Sequence, residues 1–162
     1  MKIRFKQRGV LEIDDARIIY RNFRGEASKF NRAGDKNFAV VIDDQEHADI
    51  LIDDGWNVKI KPPREDGDTP FMTLPVKVKF NKNGPAVYLE TNGIRNKLDE
   101  ESVACLDDID IESVSLDIRP YDWVIQEGTP HEKKGRSAYL QAILVVQKIN
   151  RFAASYNEDD RF

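Results

Sequence analysis

The chain holds one cysteine, Cys105, and two histidines, His47 and His131, among its 162 residues. A single thiol can form neither an internal disulfide nor a zinc site. Two imidazoles leave few candidates for general-base or nucleophilic catalysis. No calcium-loop pattern, HExxH, GxxxxGK[ST] or Cys/His ligand set occurs, so no cofactor or metal is implied and an enzyme is not expected. No apolar run approaches the roughly 18 residues needed to cross a bilayer. The opening MKIRFKQRGV lacks an apolar stretch behind its basic residues, which argues against a signal peptide. The expectation is a cytosolic protein without a membrane segment. Internal repeats and low-complexity linkers are also missing, so one domain is expected over residues 1–152.

The charge that is present is unevenly placed. Residues 1–36 carry ten Lys/Arg against five Asp/Glu, leaving the remainder near −9 in a chain of net charge −4. A basic front end on a mildly acidic protein can attract a polyanion locally and repel it elsewhere.

Apolar residues recur mainly at period two, which predicts a mostly β fold. Strands are expected over 16–23, 37–43, 56–61, 72–80, 86–90, 114–118 (ended by Pro120) and 138–147, with one or two short edge strands in 2–13. In 16–23, Ile18 and Tyr20 share one face. In 56–61, Trp56, Val58 and Ile60 face inward. In 72–80, Leu74, Val76, Val78 and Phe80 face inward, and Lys77 and Lys79 outward. The run AILVVQ (142–147) is apolar on both faces and belongs in the middle of a sheet. Two short helices interrupt the strands. The first is capped by Asp43 or Asp44, carries Ala48, Leu51 and Ile52 on its apolar stripe and stops at Gly55. The second starts at Asp99, with Leu98 and Val103 placed for a hydrophobic staple. Seven or eight strands with two helices fit a single OB-like antiparallel β-barrel; a β-sandwich shares the same periodicity. Residues 153–162 are too poor in apolar side chains to pack and read as a flexible acidic C-terminal tail.

The long hairpin loop RGEASKFNRAGDK (24–36) combines Arg24, Lys29, Arg32 and Lys36 with Phe30, and Arg21 leads into it. Cations neutralise phosphates and exposed rings stack on bases, so the loop is a candidate nucleic-acid contact; the alternative tucks Phe30 back onto the barrel. A second basic loop supplies Lys133, Lys134 and Arg136. Lys59 and Lys61, with Lys77 and Lys79, form a further cationic strip if their strands pair, although lysines also guard sheet edges. Tyr121 and Trp123, close to a loop, are the better stacking candidates among the remaining aromatics. Tyr20, Phe38, Trp56, Phe71, Phe80, Tyr88 and Tyr139 are expected mostly in the core. The carboxylates Asp107, Asp108, Asp110 and Glu112 would matter only if they converged on metal ions, as nucleases require. The tip Glu158, Asp159, Asp160, Arg161, Phe162 has the form of a docking handle, its ring for an apolar pocket and its carboxylates for basic residues on a partner.

The stretches YRNFRGEASKFNRAGDKNFAVVID (20–43), DDGWNVK (53–59), LDIRPYDW (116–123) and GRSAYLQAIL (135–144) together resemble phage single-stranded-DNA-binding proteins, and more loosely the bacterial ones. The terminal EDDRF is similar to the acidic, Phe-ended tails of that wider group, although it is short and interrupted by Arg161. The resemblance implies an OB-fold, coating of single-stranded DNA without sequence preference, roles in phage replication and recombination in the host bacterial cytosol, and recruitment of replication or recombination proteins by the tip. Oligomeric state stays open, a homodimer included. Two rival readings stand beside it: an interaction protein or inhibitor that binds a host factor as a DNA mimic, and a metal-dependent nuclease built on Asp107–Glu112.

Overall fold

A computed structural model describes residues 1–149. The expected boundary at 152 and the tip residues Glu158, Asp159, Asp160 and Phe162 lie outside the described residues. Ten strands form one sheet: β1 (Lys2–Phe5), β2 (Leu11–Asp14), β3 (Arg17–Asn22), β4 (Lys36–Ile42), β5 (Lys59–Lys61), β6 (Phe71–Val78), β7 (Ala86–Thr91), β8 (Ile94–Leu98), β9 (Ile111–Ile125) and β10 (Lys133–Gln147). A helix, α1 (Gln45–Asp53), follows β4, and a 3-10 helix spans Ser102–Asp107.

The frame is set by one bent strand. β2 pairs with β9, whereas β3 pairs with β4. Only Asp15 and Ala16 separate them. Asp15 has φ 53°, a left-handed conformation that a short polar residue tolerates better than most. Ala16 still donates its N–H to the Val114 carbonyl of β9 at 2.9 Å. From β3 the ladder then runs β4, β6, β10, β9, β2 and β1. Its hydrogen bonds do not close a ring; β3, at one end, is joined through the covalent bend to β2, the last strand but one at the other. The mostly β, OB-like class expected from the sequence is the one the chain adopts. The pairing is not purely antiparallel, because β10 runs parallel to β6 at Tyr139–Lys77 and parallel to β7 over five pairs. A parallel pair needs a long crossover, and the segments between β6 and β10 supply it.

Alternating residues of both sheet halves fill the interior. Leu11, Ile13, Val40, Leu74, Val76, Ile118, Ile143 and Val145 are buried, and the Phe23 and Phe38 rings stack with centroids 5.2 Å apart. In α1, Asp44 caps the His47 N–H at 2.7 Å, and Ala48 and Leu51 are fully buried. Ile52, expected on that stripe, faces solvent instead. Asp99 and Ser102 satisfy each other's backbone N–H groups, at 2.7 and 2.8 Å, at the start of the 3-10 helix, and these contacts with Ser102 hold the Asp99 carboxyl below its ordinary range. Trp56 is buried, its Nε1–H on Asp54 at 2.9 Å.

Several strand expectations need correction. Tyr20 does not share the core face with Ile18. A bulge between Ile19 and Asn22 puts Tyr20 at φ 54° and leaves it 68% exposed. The strand expected over 56–61 shrinks to β5, and Ile60 points outward because no second layer covers it. β9 runs straight through Pro120. Its pairing with β2 covers only Leu116–Ile118, so Pro120 has no strand on that flank to deprive of an N–H. Pro75 of β6 likewise falls in the gap between the β5 register, which ends at Thr73, and the β10 contact at Lys77. The β7–β8 hairpin was not expected. Its turn, Asn92 (φ 53°) and Gly93 (φ 79°), is the left-handed pair that tight hairpins prefer.

Truncating Leu51 to alanine should cost about 2–5 kcal/mol, since its leaving creates a buried cavity, whereas Ile60→Ala should cost far less; urea unfolding of the two variants reads the contrast.

Candidate nucleic-acid interface

Register brings one row of outward side chains across five strands: Asn22 of β3 opposite Asn37 of β4, Asn37 opposite Lys77 of β6, Lys77 beside Tyr139 of β10, and Tyr139 opposite Arg119 of β9. With strands ~4.8 Å apart, the row is about 19 Å long. Tyr139 is its centre. Ala138 and Leu140 point inward, so the ring between them faces out. Arg119 lies over one part of the ring at 5.5 Å from the centroid and Lys77 at 5.8 Å. Tyr121 meets it edge-on at 6.1 Å and is 59% exposed. A half-buried aromatic face flanked by two cations suits a flat, anionic ligand.

The β3–β4 loop overhangs this row. Phe30 stands at its tip, 93% exposed, with the Lys29 ammonium 5.8 Å from the ring centroid. The loop is not slack. Ser28 and Asn31 close a tight turn, and Asn31 Nδ2 donates to the carbonyls of Glu26, Arg32 and Asp35 at 2.8–3.1 Å. Asn31 Oδ1 accepts from Asn37 Nδ2 at 2.9 Å, tying the tip to β4. Where the loop's legs meet, a Cβ on Gly25 would lie 2.9 Å from the Gly34 carbonyl carbon, so only glycine fits there. Between loop and row lies a groove of about 620 Å³, lined by Phe30, Lys36, Lys77, Lys79, Phe80 and Tyr139 among others.

The residues singled out in the sequence divide sharply. Phe30, Lys36, Lys77 and Lys79 meet in the groove, and Tyr121 adjoins Tyr139. Lys29 stands beside Phe30, and Arg32 is exposed on the same loop. Lys59 and Lys61 lie opposite Thr73 and Phe71, on the same outer face but farther down β6. Lys133 and Lys134 sit at the start of β10, where the β9–β10 hairpin leaves the row in the direction opposite to the β3–β4 loop. The two basic hairpins therefore bracket the outer face from its two ends.

Three arginines are committed elsewhere. Arg21 Nη1 donates to the carbonyls of Leu106 and Ile109 at 2.6 and 2.7 Å. Arg24 holds Asp108 with Nη2–Oδ2 at 2.5 Å, and the Asp108 carboxyl lies below its ordinary range through that bond. Arg136 grips Asp122 at 2.6 Å, donates to the Asp54 carbonyl at 2.6 Å and covers the Trp56 ring at 5.1 Å. Trp123 is half-buried with its indole against Gly135, where a Cβ would clash with the ring.

Two of the acidic residues weighed as a metal site, Asp107 and Asp108, do other work. Asp107 accepts the N–H groups of Phe23 and Arg24 at 2.8 and 3.0 Å, so Asp107 and Asp108 anchor the root of the loop. Among the described residues, the one group whose donor atoms come together is Asp43, Asp44 and His47, at the start of α1. Sequence reasoning missed Tyr139, Arg119 and Tyr20 as surface groups. Parity against Ala138 and Leu140 could have found Tyr139.

A family model described as "Putative phage ssDNA-binding domain" matches residues 1–159. Among solved structures, the single-stranded DNA-binding protein from bacteriophage Enc34 in complex with ssDNA is similar at a TM-score of 0.54 and 14% identity, over 89% of each chain. Another structure of that protein gives 0.51 and 16%, over 93% of this chain and 92% of that one. No curated protein sequence matches.

Arg136 contributes to stability in a pH-dependent way. The hydrogen bond from Arg136 lowers the Asp122 carboxyl below its ordinary range. The pair therefore stabilises the fold above the unfolded-state value of about 3.9 and loses that contribution as pH falls through the lower folded value. Asp122→Asn should lower the urea midpoint at pH 7, with the gap to the parent chain closing below about pH 4.

Proposed function

The chain belongs to the phage ssDNA-binding domain family, and from that premise we propose that single-stranded DNA lies in the groove between the Phe30 loop and the Tyr139 row. The observation that carries this reading is the convergence of Phe30, Lys36, Lys77, Lys79 and Tyr139 on one groove. Bases stack on Tyr139 and Phe30, and the lysines, with Arg119, neutralise the backbone. Nothing in this arrangement reads a base edge in a fixed pattern, so binding is sequence-tolerant. Lys29 and Arg32 add charge at the loop tip. Lys59, Lys61, Lys133 and Lys134 extend the positive field along the face. Arg21, Arg24 and Arg136 serve the ligand by holding the loop roots and Trp56 in place, and Trp123 by stiffening the β9–β10 hairpin.

In this role the protein coats exposed strands during phage replication and recombination. The acidic, Phe-ended tip (Glu158, Asp159, Asp160, Phe162) docks on proteins of those processes, and deleting 157–162 should leave strand binding intact while abolishing such docking.

The direct test is a gel shift with single- and double-stranded oligonucleotides of equal length at two salt concentrations. Single strands should be preferred, and affinity should fall steeply with salt as counterions are released. Phe30→Ala and Tyr139→Ala should each weaken binding to oligo-dT by about 1–3 kcal/mol. Unchanged affinity in both variants would remove the groove from the interface.

A further inference from the structure

The groove does not end at Phe80. A second hollow of about 350 Å³ lies beyond it, and Phe80 and Glu100 form part of the wall of both. The second hollow is framed by two cations from separate elements and by two carboxylates, Glu100 and Asp99, the latter accepting the N–H groups of Glu101 and Ser102 at 3.0 and 2.7 Å. Lys82 sits in the turn that follows β6, closed by Asn81 N–H on the Gly84 carbonyl at 2.8 Å and by Asn83 N–H on Asn81 Oδ1 at 2.9 Å. Lys97 is exposed on β8, opposite Tyr88 of β7. The neighbouring Arg95 is engaged with Glu90 at 3.4 Å, but neither Lys82 nor Lys97 has an ion-pair partner among the described residues.

We infer that this second hollow is an additional backbone subsite, through which a bound strand continues off the sheet and over the β7–β8 hairpin. The inference rests on the groove reading above and deepens it by giving the strand a direction and a longer footprint. The logic is electrostatic. Lys79 on one side of Phe80, and Lys82 and Lys97 on the other, make two phosphate-holding positions. Between them the Glu100 carboxylate repels phosphate. A strand passing this junction must turn its phosphates away from Glu100 and present a base, and the ring available to that base is Phe80. One alternating sequence of cation, ring and cation thus extends from Tyr139 and Lys77 to Lys97.

The test is oligonucleotide length. OB-type domains occupy about 4–16 nucleotides, so oligo-dT of about four residues can fill the first groove, and oligo-dT of about twelve can reach the second. Lys82→Ala/Lys97→Ala should bind the short oligomer as the parent chain does, bind the long one more weakly, and show a salt slope for the long one smaller by about 1.4, that is about 0.7 per lost phosphate contact. Equal loss on both lengths, or no loss on either, would overturn the second subsite while leaving the groove reading in place. If the unaltered chain binds neither length, the groove reading itself fails.

Discussion

Every later feature of this fold depends on the two residues that let one strand serve both ends of the sheet. Asp15 takes a left-handed conformation and Ala16 keeps a single hydrogen bond to β9. The chain thereby leaves β9 and joins β4 without spending a loop. Had the strand run straight, it could have paired with β9 or with β4 but not with both, and the other would be left as a long edge to protect. Bent, it curls the ladder around Leu11, Ile13, Val40 and Val76 and gives the sheet a convex outer surface. The row from Asn22 to Arg119 exists because that surface crosses five strands in register.

Much of this was legible in the amino-acid order, for physical reasons that can be named. Period-two alternation in Leu74, Val76 and Val78 against Lys77 and Lys79 fixed the faces of β6, since one residue of slip would bury the lysines. The Asn92–Gly93 pair has the form of a hairpin turn, but β8 behind it is an exposed edge with little apolar content, so period-two patterning does not mark it as a strand. What could not be read are facts about neighbours. Pro120 looks like a strand end until one knows that β2 stops at Ile118. Tyr20 looks inward until a bulge two residues long reverses the parity. Tyr139 was hidden by the apolar run that follows it, in which Ile143 and Val145 are buried but Ala142, Leu144 and Val146, like Tyr139, are only half-buried.

The cations sort by chemistry. The arginines Arg21, Arg24 and Arg136 are spent on carbonyls and carboxylates, where a planar fork can satisfy two acceptors at once. The lysines of the face, with a flexible stem and a point charge, are left toward solvent, except Lys36, whose ammonium donates to the Phe23 carbonyl at 2.9 Å. This sorting explains how a chain of net charge −4 can carry a positive face. Part of its acid, at Asp107, Asp108 and Asp122, holds arginines and backbone in place.

The stapled β3–β4 loop has an entropic consequence. Because Asn31 and the Gly25–Gly34 contact already hold Phe30 aloft in the free molecule, a partner settling on that ring finds it in place. Little chain freedom is left to surrender at the moment of contact, and less of the gross attraction is consumed in ordering the receptor. Loosening the staple at Asn31 would leave the ring chemically unchanged and make its capture entropically dearer.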